Sequence, residues 1–468
     1  MEKKMNLKKS VCILLAGIMM AGMCASCGQK TSESGKVSLG VSDWPATEGE
    51  RLELFNQNKA DFKKIYPDVE IVPDTWGFDI KSFYPKAEAG MLPNIYTVPF
   101  TEIDKLVDGE YVIDMTDALK EKGYYDNMNE KIRDIVSYEG RVYALPYEAY
   151  TFGIAYNTDV FEECGLVEAD GTPMQPATWE EWAEMAVTIK EKTGKPGIVL
   201  MTANNCGGWM FTNIAWSYGV DFMEQQADGS WKATFNTPEA AAALQFIKDL
   251  RWKYDVLPAN VLVNQAEMYK TYATGGAAMM MTAPLCTPAL ASYEMKPEMF
   301  GMFAVPAGPV KRVSLVGGGN RVLSNKTNEA QTVAALDWID FIGLGYRMDD
   351  SAKETMEKNI QSNVRDGIAV GVQSLSIWHD DSEKTAYQNE LLEKYYNMKP
   401  NAVKLYNESL NNSEIELQPE EPVCAQDLYA VLDTCIQQVL NDENADCMAI
   451  MEKANKDFQV NYLDNVDY

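Results

Sequence analysis

His379 is the single histidine in the 468 residues of the chain. Imidazole-based metal sites and Ser-His or Cys-His nucleophile systems need at least one well-placed ring, so neither is expected here. Downstream of residue 27 the cysteines are Cys164, Cys206, Cys286, Cys424, Cys435 and Cys447. Their spacings contain no C-x-x-C pair and no metal-finger pattern, so mostly free, buried thiols are expected and no metal. The run Gly317-Gly318-Gly319-Asn320-Arg321 lacks both phosphate-loop and dinucleotide spacings. It reads instead as a place where backbone is approached closely, and no nucleotide or other cofactor is expected.

Carboxylates, amides, guanidinium groups and aromatic rings remain as candidate functional groups. The chain holds 10 Trp, 24 Tyr and 15 Phe, so most aromatics must be core or surface. Flat rings can cover the C–H face of a sugar, while amides, carboxylates and guanidinium groups suit its rim of hydroxyls. Trp44, Trp76, Phe100 and Glu102 each fall just past a predicted strand, where open α/β sheets bind ligands. Trp44 and Trp209 have Pro or Gly neighbours that place them on loops, whereas Trp179 and Trp182 read as helix packing. Arg321 reads equally as a donor to a ligand or as a partner for a surface acid.

Several elements must position these groups. Val37 to Val41, Val69 to Val72 and Ile95 to Val98 read as strands, with a helix from about Glu48 to Tyr66 between the first two. Strand–helix–strand order argues for parallel pairing with a crossover, hence an α/β lobe. Thr178-Trp179-Glu180-Glu181 has the form of a capping box, and Trp182, Met185, Ala186 and Ile189 follow at helical spacing. Gly140 to Asn157, GRVYALPYEAYTFGIAYN, reads as strand, irregular crossing at Pro146, strand. Two amphipathic helices close the chain between Pro422 and about Tyr462.

The start of the chain is of another kind. Lys3, Lys4, Lys8 and Lys9 precede an apolar run, Val11 to Gly22, too short to span a bilayer. Ala25 and Ser26 then precede Cys27, the order of a lipoprotein export signal with Cys27 as the lipid carrier. Residues 1–26 are thus expected to be removed, leaving 27–36 as a small, polar tether from the membrane. The whole chain carries a net charge of −28, and the part from Cys27 onward −31. Such a surface repels polyanions, so no nucleic-acid partner is expected.

Gly140-x-x-Tyr143-Ala144-x-Pro146-Tyr147, Tyr156-Asn157, Thr178-Trp179-x-Glu181, Gly276-Ala277-Ala278-Met279 and Gly317-Gly318-Gly319 occur in that order after the lipobox. Together they resemble the bacterial ABC-transporter extracellular solute-binding proteins, family 1, the type that captures sugars and oligosaccharides. The resemblance spans nearly all the mature chain, although no aromatic follows Met281 where many members carry one. It implies a two-lobe type II periplasmic-binding-protein fold, each lobe a mainly parallel sheet flanked by helices. Residues 37–147 plus 304–350 would form the N-terminal lobe, and 148–303 plus 351–468 the C-terminal one. By that resemblance Tyr147 and Glu148 lie at the hinge floor, and Gly318, Asn320 and Arg321 border the ligand. A monomeric, lipid-anchored receptor would pass its carbohydrate to membrane permease subunits. Two alternatives stay open: a lipid-anchored glycoside hydrolase or lyase built on carboxylates such as Glu102 and Glu148, or a surface sugar sensor.

Overall fold

The computed structural model describes residues 36–410 and 414–466; the expected export signal, Cys27 and most of the expected tether lie outside the described residues. Strands β1 (Val37–Val41), β2 (Val69–Pro73) and β3 (Ile95–Pro99) pair in parallel through β1, as their spacing predicts. The chain then crosses through β4 (Ala144–Thr151) into β5 (Gly153–Asn157). Strands β6 (Ile198–Val199), β7 (Met279–Thr282) and β8 (Phe300–Ala304) complete a second sheet in the order β8–β5–β7–β6. An eleven-residue strand, β9 (Val313–Leu323), returns the chain to the first sheet, where β10 (Glu416–Pro419) joins it. The first sheet has the order β10–β9–β3–β1–β2, and β4 lies on the free edge of β9.

The break in the first crossing falls at Phe152 rather than at Pro146. Pro146 sits inside β4 at a register shift opposite Gly319 and Asn320, where its missing N–H costs the ladder nothing.

Two apolar cores follow from the two sheets. Trp44, Phe62, Phe83, Tyr96, Trp338 and Trp378 fill the first. Trp179, Trp182, Trp216, Phe303, Tyr406 and Leu428 are among those filling the second. β9 passes between them, giving Val313 and Leu315 to the second core and Val316, Val322 and Leu323 to the first. Helix Trp179–Thr193 shows how sequence sets such an element. Thr178 accepts from the Glu181 N–H at 3.2 Å, Glu181 reaches back to the Ala177 N–H at 2.8 Å, and Gly194 ends the helix at φ 72°. Trp182, Ala186 and Ile189 are buried, with Met185 at the margin. The six described cysteines are all unpaired, and all but Cys206 are buried.

Trp179 anchors this packing: its ring is fully buried and its Nε1–H donates to Ser217 Oγ at 2.8 Å. Trp179→Ala removes the ring and one of the two hydrogen bonds of that hydroxyl, which keeps its bond to the Ile214 carbonyl, so a loss of about 4 kcal/mol is expected. Urea unfolding followed by circular dichroism reads this as a lower midpoint at unchanged slope.

Candidate functional site

Two strand ends meet head to head on one edge of β9. β3 runs antiparallel to it and stops with Pro99 opposite Gly319; β10 runs parallel and stops with Pro419 opposite Val316. Proline cannot donate to the ladder, so each strand peels away at its carboxyl end. Gly317 and Gly318 are left between them. Ligands of α/β sheets bind beyond carboxyl ends of strands, and here two such ends converge.

The glycines matter for what lies against them. A Cβ added at Gly317 would sit 2.5 Å from a ring carbon of Tyr150, at Gly318 2.3 Å from Phe100, and at Gly319 2.3 Å from the Tyr147 hydroxyl. Successive residues of a strand face opposite sides, so Tyr150 and Tyr147 lie on one face and Phe100 on the other. The expectation of close approach to Gly318 holds, with aromatic rings as the approaching groups.

Beyond Pro99, Glu102 is 3% exposed, and its carboxylate takes the Thr101 hydroxyl at 3.3 Å. Burial holds its carboxyl above the usual range against the pull of Lys105. Beyond Pro419, half-buried Glu420 accepts from the Tyr429 hydroxyl at 2.8 Å. Burial pushes its carboxyl up to about 7; the Tyr429 and Trp209 hydrogen bonds oppose this, and the like charge of Glu102 adds to it. Trp209 stands edge-on to Phe152 at 4.5 Å and to Tyr150 at 6.3 Å. Its helix, Cys206–Ser217, is held at its start by Asp433, which accepts from the Asn205 and Gly208 N–H groups at 2.7 Å each.

A second polar group follows two residues further along β9. The Arg321 guanidinium lies over the Tyr147 ring at 4.4 Å, with one Nη buried and unpartnered. Burial lowers its pKa to about 10, against the attraction of Tyr147, Glu148 and Asp43. Burial also raises the Glu148 carboxyl, opposed by the Tyr147 hydroxyl and Arg321. Asp43 accepts from the Thr97 hydroxyl at 2.7 Å.

A cavity of about 910 Å³ opens beside the converging ends. Phe100, Thr101, Val316, Leu375, His379 and Glu420 are among its lining residues. Of the residues expected at the site, Phe100 alone lines it.

The structure thus gathers Phe100, Glu102, Gly318 and Trp209 at the convergence and places Tyr147, Glu148 and Arg321 beside it. Trp44 is not there. It is 4% exposed, stacked on Trp338 at 6.2 Å and edge-on to Phe55, because the loop after β1 folds inward over the first core. Trp76 sits apart, donating to Ser82 at 3.1 Å with Lys86 over its ring. Asn320 is wholly buried in β9, its side-chain amide without a partner. Sequence reading missed Tyr150, Glu420 and Tyr429. Tyr150 was in plain view in the crossing, whereas Pro419-Glu420-Glu421-Pro422 becomes a signal only once β10 is known to end there. Among the described residues no cluster of His, Cys, Asp or Glu could hold a metal, and no helix is long and apolar enough to cross a membrane.

Two sheets with separate cores, joined by crossing strands, define a two-lobe type II periplasmic-binding-protein fold. Residues 46–343 match the family described as bacterial extracellular solute-binding protein, and the chain belongs to that family. A putative binding protein of Brucella abortus is 24% identical over 342 residues, 70% of this chain and 76% of that protein. The multiple sugar-binding protein of Streptococcus mutans serotype c is 25% identical over 301 residues, 58% of this chain and 66% of that protein. Among solved structures, the cyclic alpha-maltosyl-1,6-maltose binding protein of Arthrobacter globiformis is similar at a TM-score of 0.65 and 22% identity. That likeness covers 90% of this chain and 98% of the other. The family binds solutes, so the protein is a solute-binding protein and not an enzyme.

Glu420 makes the site sensitive to pH. Its folded value, about 7, lies above the ordinary 4.5, so the native state holds the proton more tightly than the unfolded chain. The stabilisation is full below pH 4.5 and is lost as pH rises to about 7. Wild-type stability is therefore expected to fall across this window relative to Glu420→Gln by on the order of 2 kcal/mol. Urea unfolding of both proteins at pH 4.5, 6 and 7.5 measures the difference; parallel curves would contradict it.

Proposed function

We propose that the protein is the receptor of an ABC importer, capturing a sugar or oligosaccharide between its lobes and delivering it to the membrane permease. The observation that carries this reading is the convergence of β3 and β10 on Gly317 and Gly318. It assembles aromatic faces (Phe100, Trp209 and, beyond the first expectation, Tyr150) with carboxyl acceptors (Glu102 and Glu420). Tyr147, Glu148 and Arg321 would supply a polar wall next to it. Printed names of relatives such as the multiple sugar-binding protein support the ligand class.

Lobe closure around the ligand would expel water and present the closed form to the permease. The expected frame, 37–147 plus 304–350 against 148–303 plus 351–468, would then serve with its boundaries shifted. Ala149, Leu375–Trp378 and Glu416–Pro419 would go with the first lobe, since they pack in its core or sheet, and Val305, Val313 and Leu315 with the second. Cys27 would carry the lipid anchor of a monomer on the outer face of the membrane. Cys27→Ser is expected to move the protein from the membrane fraction to the medium, read by fractionation and immunoblot.

A thermal-shift screen of the mature chain against mono- and oligosaccharides tests the ligand class, followed by calorimetry and product analysis. A saturable rise in melting temperature for one glycan class, with the sugar recovered intact, is the expected result. Trp209→Ala should then weaken that sugar by about 2 kcal/mol, roughly 30-fold in Kd, read by calorimetry at a temperature where the variant is fully folded, since the same ring also packs on Phe152. No response to any glycan would overturn the sugar reading.

A further inference from the structure

After β9 the chain does not stay in one lobe. Leu344 and Tyr346 pack on the first core, Ala369 and Val372 on the second, and Leu375, Ile377 and Trp378 on the first again. Met398, Ala402 and Tyr406 then return to the second core, Leu417 to the first, and Cys424 to the second. The tightest of these passes, residues 368–378, has no regular secondary structure beyond single bridges.

Two asparagine side chains take the place of a neighbouring strand. Asn397 accepts from the Val370 N–H at 2.8 Å and donates to the Ile368 carbonyl at 2.9 Å. Asn407 does the same one step on, accepting from the Gln373 N–H and donating to the Gly371 carbonyl, both at 2.9 Å. Each amide mimics a ladder pair, one donor and one acceptor in a plane.

Asn407 lies on the short helix Lys404–Ser409, whose Tyr406 is wholly buried in the second core. The Tyr406 hydroxyl donates to the Thr151 carbonyl at 3.0 Å, at the end of β4. A Cβ at Gly153 would come within 2.7 Å of the Tyr406 ring, so this contact is built into the hinge itself. Toward the other end, Leu375 bridges Ala149 of β4, and Trp378 bridges Met128. Trp378 is 2% exposed, against Tyr346 and Tyr124. The Asn129 N–H donates to the Ile377 carbonyl at 2.8 Å, and the His379 N–H to that of Asn127 at 3.0 Å. Buried Lys384 then donates to the Gly343 and Gly345 carbonyls, fixing the following helix, Glu383–Lys394, to the first core.

From Gln373, fixed to the second core, to Trp378, fixed in the first, is five residues. A fully extended chain of that length spans about 17 Å. The pass also bridges Ala149 of β4 midway, through Leu375. We propose that residues 368–378 form a strap alongside the hinge that ties the two lobes together and restricts how far the ligand-free protein opens. The proposal rests on the two-lobe fold and not on the identity of the ligand.

The test uses the ligand-free mature chain. Asn407→Ala removes two of the four amide bonds to the strap, those at Gly371 and Gln373, and leaves the two of Asn397 and the Trp378 anchor in place. Hydrogen exchange is expected to quicken roughly tenfold at Gln373 and also at the His379 N–H, whose own acceptor is unaltered. Small-angle X-ray scattering should show a larger radius of gyration for the variant than for wild type. Exchange that quickens only at Gln373, or scattering curves that superimpose, would overturn the strap. Inserting Gly-Ser between Ser374 and Leu375 gives the strap slack while keeping both anchors. It should reproduce the expansion even if Asn407→Ala fails to fold, and an insertion variant as compact as wild type would equally overturn the proposal.

Discussion

Close approach to a strand without side chains is the constraint on which the rest depends. Gly317, Gly318 and Gly319 lie in the middle of an eleven-residue strand that links both sheets. Any side chain there would collide with Tyr150, Phe100 or Tyr147. Glycine in a strand interior forfeits packing and conformational entropy. That loss is accepted where rings must lie flat on the backbone and where two other strands must end. The same stretch is therefore the meeting point of β3 and β10 and the seat of the aromatic cluster. Placing a Val at Gly318 would push Phe100 off the strand and move the carboxyl end of β3 with it.

Charge acts on this geometry in one direction. Glu102 and Glu420 come from different strands, both in surroundings that penalise ionisation, and neither has a cation within ion-pair distance among the described residues. Burial raises Glu420 first and the like charge of Glu102 adds to it, so protonating Glu420 removes both penalties. A group protonated near neutral pH can donate as well as accept, and hydroxyl-rich solutes offer partners for either role. The acidic surface, −28 over the whole chain, points the same way by disfavouring an anionic solute.

Local and global information separate cleanly in this chain. Thr178, Gly194 and the Trp182–Ile189 stripe specify their helix from within a dozen residues, so the sequence displays it. β1 to β3 were legible for the same reason, while the first crossing was legible as a strand pair whose break falls at Phe152 and not Pro146. Trp44 shows the limit: Pro45 and a strand end place it on a loop, but only tertiary packing decides that the loop turns inward against Trp338 and Phe55. Glu420 shows the converse. Its importance comes from Tyr429, Trp209 and Glu102, which are remote from one another in sequence. Residues 368–373 show no pattern because their backbone is held by the amides of Asn397 and Asn407, and side-chain-to-backbone bonds have no periodicity to read.

A strapped hinge bears on how such a receptor works. A solute bound by both lobes at once gains its full contacts only in the closed arrangement. Apparent affinity is therefore reduced by the fraction of time the empty protein spends closed. A protein that is closed one part in a hundred loses about a hundredfold, or roughly 2.7 kcal/mol, before any contact is made. Restricting the opening shrinks that loss without adding a single contact to the ligand. The opposing effect is on entry, since a narrow gap admits solute more slowly and favours small or end-on access over wrapping a long chain.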